Sequence, residues 1–170
     1  YNFDKKDTIE SLTQKGVNGV GEKVMTAGRM VSFRKMGKAS FTHIQDENGK
    51  IQIYLKNDLL PENIYDNIVR NLDLGDIIGC TGKLFITKMG ELSIKADNIN
   101  ILSKNIRPLP NMKEKEGELF NAFEDKELRY RHRELDLIAN PHIKSVFKKR
   151  AKIISSIRKY LDDNNFIEVE

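Results

Sequence analysis

The chain has 170 residues, of which 39 % are hydrophobic and 32 % are charged, a composition typical of a soluble globular protein and not of a disordered one. This length accommodates one ordinary domain and an appendage. The net charge of +4 is compatible with a polyanionic partner without requiring one. No apolar run approaches the roughly 20 residues of a membrane span, and the sequence has no signal-peptide pattern.

The first 21 residues predict a short helix and a lead-in. Asp7-Thr8-Ile9-Glu10 has the spacing of a capping box, in which Asp7 caps the helix and Glu10 reaches back to it. The glycine at position 16 favours a helix end at about Lys15. Because the first residue is Tyr and not Met, we expect that the chain lacks its true start.

Three strands are predicted next. Apolar and β-branched residues around Gly28 favour a strand over residues 23–35 that bends at the glycine. Residues 38–46 predict a second strand, and the Asn-Gly pair that follows is typical of a hairpin turn. Strict alternation of apolar and polar residues over 51–56 predicts the third strand, with one face in the core and the other outside.

A helix and two further strands complete the pattern. Pro61 is typical of a first helical turn, and apolar residues recur at helical spacing at Ile64, Ile68 and Leu72. Residues 77–87 and 91–102 predict the last two strands. Three strands, a helix and two strands are the order of the OB-fold. We therefore predict a mainly β protein with helices, in which residues 22–106 form a five-stranded Greek-key OB-fold barrel.

The single cysteine, Cys80, lies in the apolar fourth strand. One cysteine cannot form an internal disulfide, so we expect a buried, reduced thiol in a cytoplasmic protein. One Cys and three His argue against a structural zinc site.

The remainder predicts a linker and a helical appendage. Prolines stiffen the start of the linker and loop at residues 107–128, and the charged stretch 111–127 predicts an irregular, exposed loop. An N-cap asparagine followed by Pro141 starts an amphipathic helix over 142–164. Residues 166–170 begin a strand that the chain does not finish. The apolar stripe of the helix has no predicted partner except the barrel, so we expect a second domain to be missing.

Candidate binding residues lie on the outer face of the second and third strands, where OB-folds bind oligonucleotides. Phe41 and His43 share one face of the second strand, and Gln52 points outward from the third. A ring beside an amide suits base stacking and base reading. The alternatives are that Phe41 is a core residue, and that Gln52 and Glu91 are merely solvated.

A series of short segments, in order along the chain, matches the pattern of one family. They are Gly28–Met30, Met36–Phe41, His43–Asp46, Gly49–Tyr54, Leu72–Gly79, Thr87–Ser93, Arg107–Pro110, Arg129–Arg133, Leu135–Ile138 and Phe166–Glu170. Together they resemble the anticodon-binding region of bacterial-type class IIb lysyl-tRNA synthetases, through the start of class II motif 1.

The resemblance implies a role for each candidate residue in binding lysine tRNA. Phe41 falls where the family stacks an aromatic ring on an anticodon base, Gln52 where it reads the central uridine, and Glu91 where it contacts the third base. Arg34 falls where a basic residue approaches the anticodon loop, and His43 would add stacking beside Phe41. Four lysines are candidates for phosphate contacts, namely Lys38, Lys50, Lys56 and Lys88.

The resemblance also implies that the parent protein is a cytoplasmic lysine–tRNA ligase. Residues 129–170 would begin its catalytic domain, and motif 1 would build a homodimer interface. The motifs that hold ATP and Mg²⁺ would lie beyond Glu170, so we expect this chain to contain no catalytic residue, to need no cofactor and to be inactive alone. Glu134 departs from the family, which usually has an apolar residue there.

Three other readings stay open. An aspartyl- or asparaginyl-type class IIb synthetase would have the same barrel. A non-catalytic, sequence-tolerant single-strand binder would use the same face. A docking module would bind protein through helix 142–164.

Overall fold

The computed structural model describes residues 3–37, 39–107, 109–110, 112–115, 118–121 and 125–169. The chain forms two compact units, Tyr1–Pro108 and Leu109–Glu170. Lys38, one of the candidate phosphate contacts, lies outside the described residues.

The first unit is a closed barrel of five strands. They are β1 (Lys23–Met36), β2 (Ala39–Gln45), β3 (Lys50–Lys56), β4 (Ile77–Ile86) and β5 (Leu92–Ser103). The strand order is β1-β2-β3-β5-β4, and β4 returns to β1. Only the β3–β5 pair in this barrel is parallel. This arrangement confirms the predicted OB-fold.

The alternating pattern of β2 and β3 directs one set of side chains into the barrel and the other outward. Ser40, Thr42 and Ile44 of β2 are buried, whereas the residues between them are only partly buried. Ile51, Ile53 and Leu55 of β3 point into the same core. Phe41 and His43 of β2 and Gln52 and Tyr54 of β3 are thereby left on one outer face.

The long strand β1 pairs with two neighbouring strands. It pairs with β4 over Lys23–Arg29 and with β2 over Arg29–Met36. Gly28 lies next to Arg29, where the strand passes from one partner to the other. A Cβ at this position would lie 2.8 Å from the carbonyl oxygen of Gln45, so the close approach of β2 requires glycine.

A short helix, α1 (Ile9–Lys15), precedes the barrel and buries Ile9 in the barrel core. The predicted cap was wrong. Thr8, not Asp7, caps the helix, since its side chain accepts a 3.2 Å hydrogen bond from Ser11 N. The Asp7 carboxylate instead accepts a 2.8 Å hydrogen bond from Met25 N of β1, a partner that is distant in sequence.

The connection from β3 to β4 contains a much shorter helix than predicted. Helix α2 (Ile64–Asn67) has four residues and follows Asn63, whose φ of 67° is left-handed. That conformation prevents a helix from running continuously from Pro61. The buried residues of the connection include Tyr65 and Val69, which the predicted apolar stripe did not contain.

The second unit begins with a two-stranded antiparallel sheet, where the sequence predicted an irregular loop. Its strands are β6 (Met112–Lys115) and β7 (Glu118–Asn121). The loop prediction was wrong because a four-residue strand rich in Lys and Glu has little β propensity of its own. Pairing within the hairpin is what holds such strands in the extended state.

Three helices follow: α3 (Lys126–Arg131), α4 (Arg133–Ala139) and α5 (Pro141–Asp163). Helix α5 is formed as predicted, with each end one residue earlier. The expected strand after it is not formed over residues 166–169, because no described strand pairs with this segment and an unpaired strand leaves its backbone groups unbonded. No described helix is long and apolar enough to cross a membrane.

A buried carboxylate joins α3 and α4. Asp136 accepts hydrogen bonds from Arg129 Nε (2.8 Å), Arg133 Nη1 and Asn140 Nδ2 (2.8 Å). Burial raises the pKa of Asp136, but these hydrogen bonds and the arginine charges outweigh that effect and hold the pKa below its usual value. Glu134, the departure from the family pattern, is exposed and lies 3.4 Å from His132 Nδ1.

Most of the apolar stripe of α5 is exposed, whereas Ile143 at its start is partly buried. The exposed members are 38 % to 68 % exposed, namely Val146, Phe147, Ile153, Ile154, Ile157, Tyr160 and Leu161.

Candidate nucleic-acid interface

The five candidate residues come together in one open cleft on the barrel. The cleft has a volume of about 240 Å³ and is bordered by β1, β2, β3 and the turn between β4 and β5. Its lining residues are Ser32, Arg34, Met36, Phe41, His43, Gln52, Thr87, Met89 and Glu91. Residues from distant parts of the sequence therefore share one surface because the barrel closes.

Strand register sets the order of the side chains in the cleft. Phe41 is paired with Arg34 of β1 on one side and with Tyr54 of β3 on the other. His43 is paired directly with Gln52. The sequence placed Phe41 beside Gln52, and the register shows that the two are diagonal neighbours across the hairpin.

The ring of Phe41 belongs to an aromatic cluster on the outer face. Its centroid lies 4.9 Å from that of Tyr54, with the planes inclined by 39°. Tyr54 in turn lies 6.0 Å from the ring of Phe85. Phe41 is partly exposed while its neighbours Ser40 and Thr42 are buried. The core-residue reading of Phe41 is therefore wrong, and its ring is available at the surface.

Glu91 connects the polar side chains of the cleft. Its Oε1 lies 2.8 Å from His43 Nε2, and its Oε2 accepts a 2.7 Å hydrogen bond from Gln52 Nε2. The other end of the Gln52 amide, Oε1, accepts a 2.9 Å hydrogen bond from Ser93 Oγ. Gln52 and Glu91 are thus held by specific partners and are not simply solvated.

The turn between β4 and β5 places Glu91. Thr87 N donates to the Glu91 carbonyl oxygen at 3.0 Å, and Glu91 N donates to Thr87 Oγ1 at 3.1 Å. Gly90 has a φ of 83°, which suits glycine in a tight turn. The carboxylate is therefore directed at β2 and β3 by a turn that is itself closed by hydrogen bonds.

Two serines that the sequence prediction missed complete the network. Ser32 Oγ lies 2.7 Å from His43 Nδ1 and accepts a 3.2 Å hydrogen bond from His43 N. It follows an irregularity in the β1–β2 register between Met30 and Ser32. Ser93 is fully buried. Serine is common on strands, and only the three-dimensional pairing shows that these two have partners in the cleft.

The candidate phosphate contacts differ in their surroundings. Lys88 is exposed in the turn beside Glu91, and Lys50 is exposed at the start of β3. Lys56 lies 2.9 Å from Asp58 Oδ2. Among the described residues, no group of three or more His, Cys, Asp or Glu is arranged to hold a metal ion.

Two family models match the chain. The OB-fold nucleic acid binding domain matches residues 24–102, which contain the barrel except for the first residue of β1 and the last of β5, and all five candidate residues. The class II tRNA synthetases for D, K and N match residues 125–170, which contain α3 to α5. The two matches follow each other in the order predicted from the sequence.

Curated relatives match the same region. A lysine–tRNA ligase of Fusobacterium nucleatum subsp. nucleatum is 51 % identical over 148 residues, which are 87 % of this chain and 29 % of the relative. One of Idiomarina loihiensis is 48 % identical over 161 residues, or 95 % of this chain and 30 % of the relative. One of Pelotomaculum thermopropionicum is 45 % identical over 169 residues, or 99 % of this chain and 32 % of the relative.

The chain belongs to the class II lysyl-tRNA synthetase family. It spans about 30 % of the length of these curated relatives. Within the family, its barrel is the nucleic-acid-binding domain and its helical unit is part of the class II synthetase domain. The family assignment fits the polar and aromatic cleft, whose side chains suit single-stranded bases.

Proposed function

We propose that this chain recognises the anticodon of lysine tRNA through the cleft between β1, β2, β3 and the β4–β5 turn. The observation that carries the proposal is that a partly exposed aromatic ring, Phe41, and an amide held at both ends, Gln52, lie on the same open face. A stacking surface next to an oriented hydrogen-bonding group is what sequence-specific binding of single-stranded RNA requires.

Phe41 is the proposed stacking platform. Tyr54 packs against it at 4.9 Å, so the ring needs little ordering when a base arrives. Arg34 is paired with Phe41 across the β1–β2 ladder and is exposed. A guanidinium at this position contacts the phosphate beside the stacked base or stacks on the base itself.

Gln52 is the proposed reader of the central uridine. One N–H of its amide donates a hydrogen bond to Glu91, and one lone pair of its carbonyl oxygen accepts a hydrogen bond from Ser93. Since an amide has two N–H groups and two lone pairs, one of each is left for a base. These complement O4 and N3–H of uracil.

Glu91 is the proposed contact for the third base. Its Oε1 lies 2.8 Å from His43 Nε2, and on binding it would also accept the N3–H of a uracil at the edge of the cleft. His43, held by Ser32 on its other nitrogen, would then stack beside the same base. Lys50 and Lys88, which are exposed, are the proposed phosphate contacts.

The proposal extends to the parent enzyme. The relatives are named lysine–tRNA ligases, and a ligase of this family uses ATP and Mg²⁺ to join lysine to its tRNA in the cytoplasm. We assign the binding of ATP and Mg²⁺, and the joining of lysine to its tRNA, to the parts of these relatives that lie outside the 30 % of their length matched by this chain. The exposed stripe of α5 is the proposed motif 1 contribution to a homodimer.

The experiment is a fluorescence titration of this chain with anticodon stem-loops at two salt concentrations. We expect tight binding to a uridine-centred lysine loop and weaker binding to a loop of scrambled sequence. The salt dependence reports phosphate contacts, and the difference between loops reports base reading. Equal affinity for every pyrimidine-rich strand would instead favour a sequence-tolerant single-strand binder.

The same titration distinguishes the remaining readings. An aspartyl- or asparaginyl-type protein would bind a guanine-centred triplet more tightly than a uridine-centred one. A docking module would depend on α5, so Ile157→Lys on its exposed stripe would abolish its partner binding. For the proposed function, Ile157→Lys leaves stem-loop affinity unchanged, because the cleft lies in the other unit.

A further inference from the structure

We infer that Ser93 and Glu91 together set the amide orientation of Gln52, and that this orientation makes the cleft accept uridine and reject cytidine at the central position. The inference rests on the proposed function, since it names the specificity determinants of the same cleft. Ser93 acts here as a positioning residue, because it is fully buried beneath Gln52 and does not line the cleft.

The Gln52 amide has a chemically distinct neighbour at each end. Glu91 Oε2 lies 2.7 Å from Gln52 Nε2, and Ser93 Oγ lies 2.9 Å from Gln52 Oε1. An ionised carboxylate only accepts hydrogen bonds, so it requires the NH₂ end of the amide on its side. The Ser93 hydroxyl donates to the carbonyl end. Rotating the amide by half a turn would place its oxygen against the carboxylate and break both hydrogen bonds.

The order of donor and acceptor matters because uracil and cytosine differ only in that order. At corresponding positions uracil presents the O4 acceptor and the N3–H donor, whereas cytosine presents the N4–H donor and the N3 acceptor. A glutamine that rotates freely serves either base, since its amide is nearly symmetrical in shape. A glutamine fixed with its N–H toward Glu91 and its carbonyl toward Ser93 matches one of them.

The two holding groups are themselves fixed by backbone. Glu91 is placed by the closed turn from Thr87, whose Oγ1 accepts from Glu91 N at 3.1 Å. Ser93 lies on β5 directly opposite Gln52 in the parallel β3–β5 pair, and its hydroxyl also lies 3.3 Å from the Glu91 carbonyl oxygen. The parallel pairing that closes the barrel therefore brings the holding groups to the reading residue.

Glu91 can orient Gln52 and still contact the third anticodon base. Its two carboxylate oxygens have different partners, with Oε2 on Gln52 and Oε1 on His43. A third base that engages Oε1 leaves the hydrogen bond to Gln52 in place. Reading of the central base is thus supported by the same side chain that contacts the next base.

The test compares Ser93→Ala with Ser40→Ala on two stem-loops that differ only in uridine or cytidine at the centre. Ser40 is the matched control, because it is an equally buried serine whose hydroxyl lies 2.8 Å from Tyr65 OH on the inner side of β2. We expect the wild type to prefer uridine by about 10- to 100-fold. Ser93→Ala should lower this ratio at least about threefold, chiefly by gaining cytidine affinity, while Ser40→Ala leaves it unchanged.

A second variant, Glu91→Gln, removes the acceptor-only group with little change in size. Its amide can donate as well as accept, so the uridine-to-cytidine ratio should fall here too, with the third base held constant. Unchanged ratios in both variants, with equal losses for both loops, would overturn the inference while leaving anticodon binding intact. A wild type without uridine preference would overturn the proposed function as well.

Discussion

The rings of Phe41 and Tyr54 lie 4.9 Å apart, inclined by 39°, on adjacent strands of the barrel. Tyr54 also lies 6.0 Å from Phe85 of β4, so the three rings form one cluster on the outer surface. Such packing limits the rotation of Phe41 before any ligand is present. Its surface ring is therefore oriented by the protein, which reduces the entropy lost when a base stacks on it.

Replacing Phe41 by Ala should weaken binding of the lysine anticodon stem-loop by about 1–3 kcal/mol, the usual contribution of one base–aromatic stack. Phe41→Tyr should keep most of the affinity, since its ring still stacks. Fluorescence titration measures both. A full loss in Phe41→Tyr as well would show that packing, and not stacking, is what this ring supplies.

Replacing Gln52 by Ala should also cost about 1–3 kcal/mol, but only on loops with uridine at the centre. The reason is that the amide contributes hydrogen bonds to one base and none to the phosphates. The comparison is with a loop of scrambled sequence at the same salt concentration. An equal loss on the scrambled loop would contradict base reading by this residue.

Arg34 should contribute through charge. Arg34→Gln should reduce the slope of log affinity against log salt by about 0.7, the value for one phosphate contact on a single strand. The matched control is Lys83→Gln, an exposed cation of β4 that is not in the cleft lining. If both variants change the slope equally, Arg34 adds only to the general charge of the chain.

The barrel and the faces of its strands could be predicted because local pattern and tertiary fold agree there. Strict alternation over β3 and the Asn-Gly turn before it determine which residues point outward. Phe41, His43 and Gln52 follow directly from that alternation. The hairpin β6–β7 could not be predicted, since a strand such as Met112–Lys115 carries charges that favour no regular structure.

The hydrogen-bond network of the cleft was beyond prediction for a different reason. Glu91 is 48 residues from His43 and 39 from Gln52 in sequence, and the β2–β3 and β3–β5 pairings together bring the three residues close. The same holds for Asp7, whose sequence suggests a helix cap but whose carboxylate bonds Met25 N. Alternation along a strand predicts on which face of the sheet a side chain lies. Its hydrogen-bond partner depends on the register between strands that are distant in sequence.

The stability of the barrel should depend on Asp46. Its Oδ2 accepts from Ile9 N at 3.0 Å and Lys5 Nζ at 2.9 Å, and its Oδ1 accepts from Asn48 N and Gly49 N at 3.0 Å each. The carboxylate thus joins α1 to the β2–β3 turn. Asp46→Ala should lower the free energy of unfolding by about 1.5–3 kcal/mol, as measured by urea denaturation at neutral pH.

This contribution should disappear in acid. Burial raises the pKa of Asp46, but the hydrogen bonds from Ile9 N and Lys5 outweigh it and hold the pKa below its ordinary value of 3.8. A carboxylate whose pKa is lower in the folded state than in the unfolded state stabilises the fold at pH values above its unfolded-state pKa. That stabilisation is lost as the pH falls through the folded-state pKa. The difference between wild type and Asp46→Ala should therefore shrink below about pH 4. A difference that is constant down to pH 2 would contradict an ionised Asp46.

Cys80 should report global unfolding of the barrel. Its side chain is fully buried, and burial raises the pKa of the thiol to about 12. Since the thiolate is the reactive form, iodoacetamide should not modify the native chain at pH 8, and the labelling rate should rise with urea in step with loss of circular dichroism. Ser103→Cys, at the exposed end of β5, is the control and should react at once. Rapid labelling of Cys80 in the native chain would show that the barrel opens locally at β4.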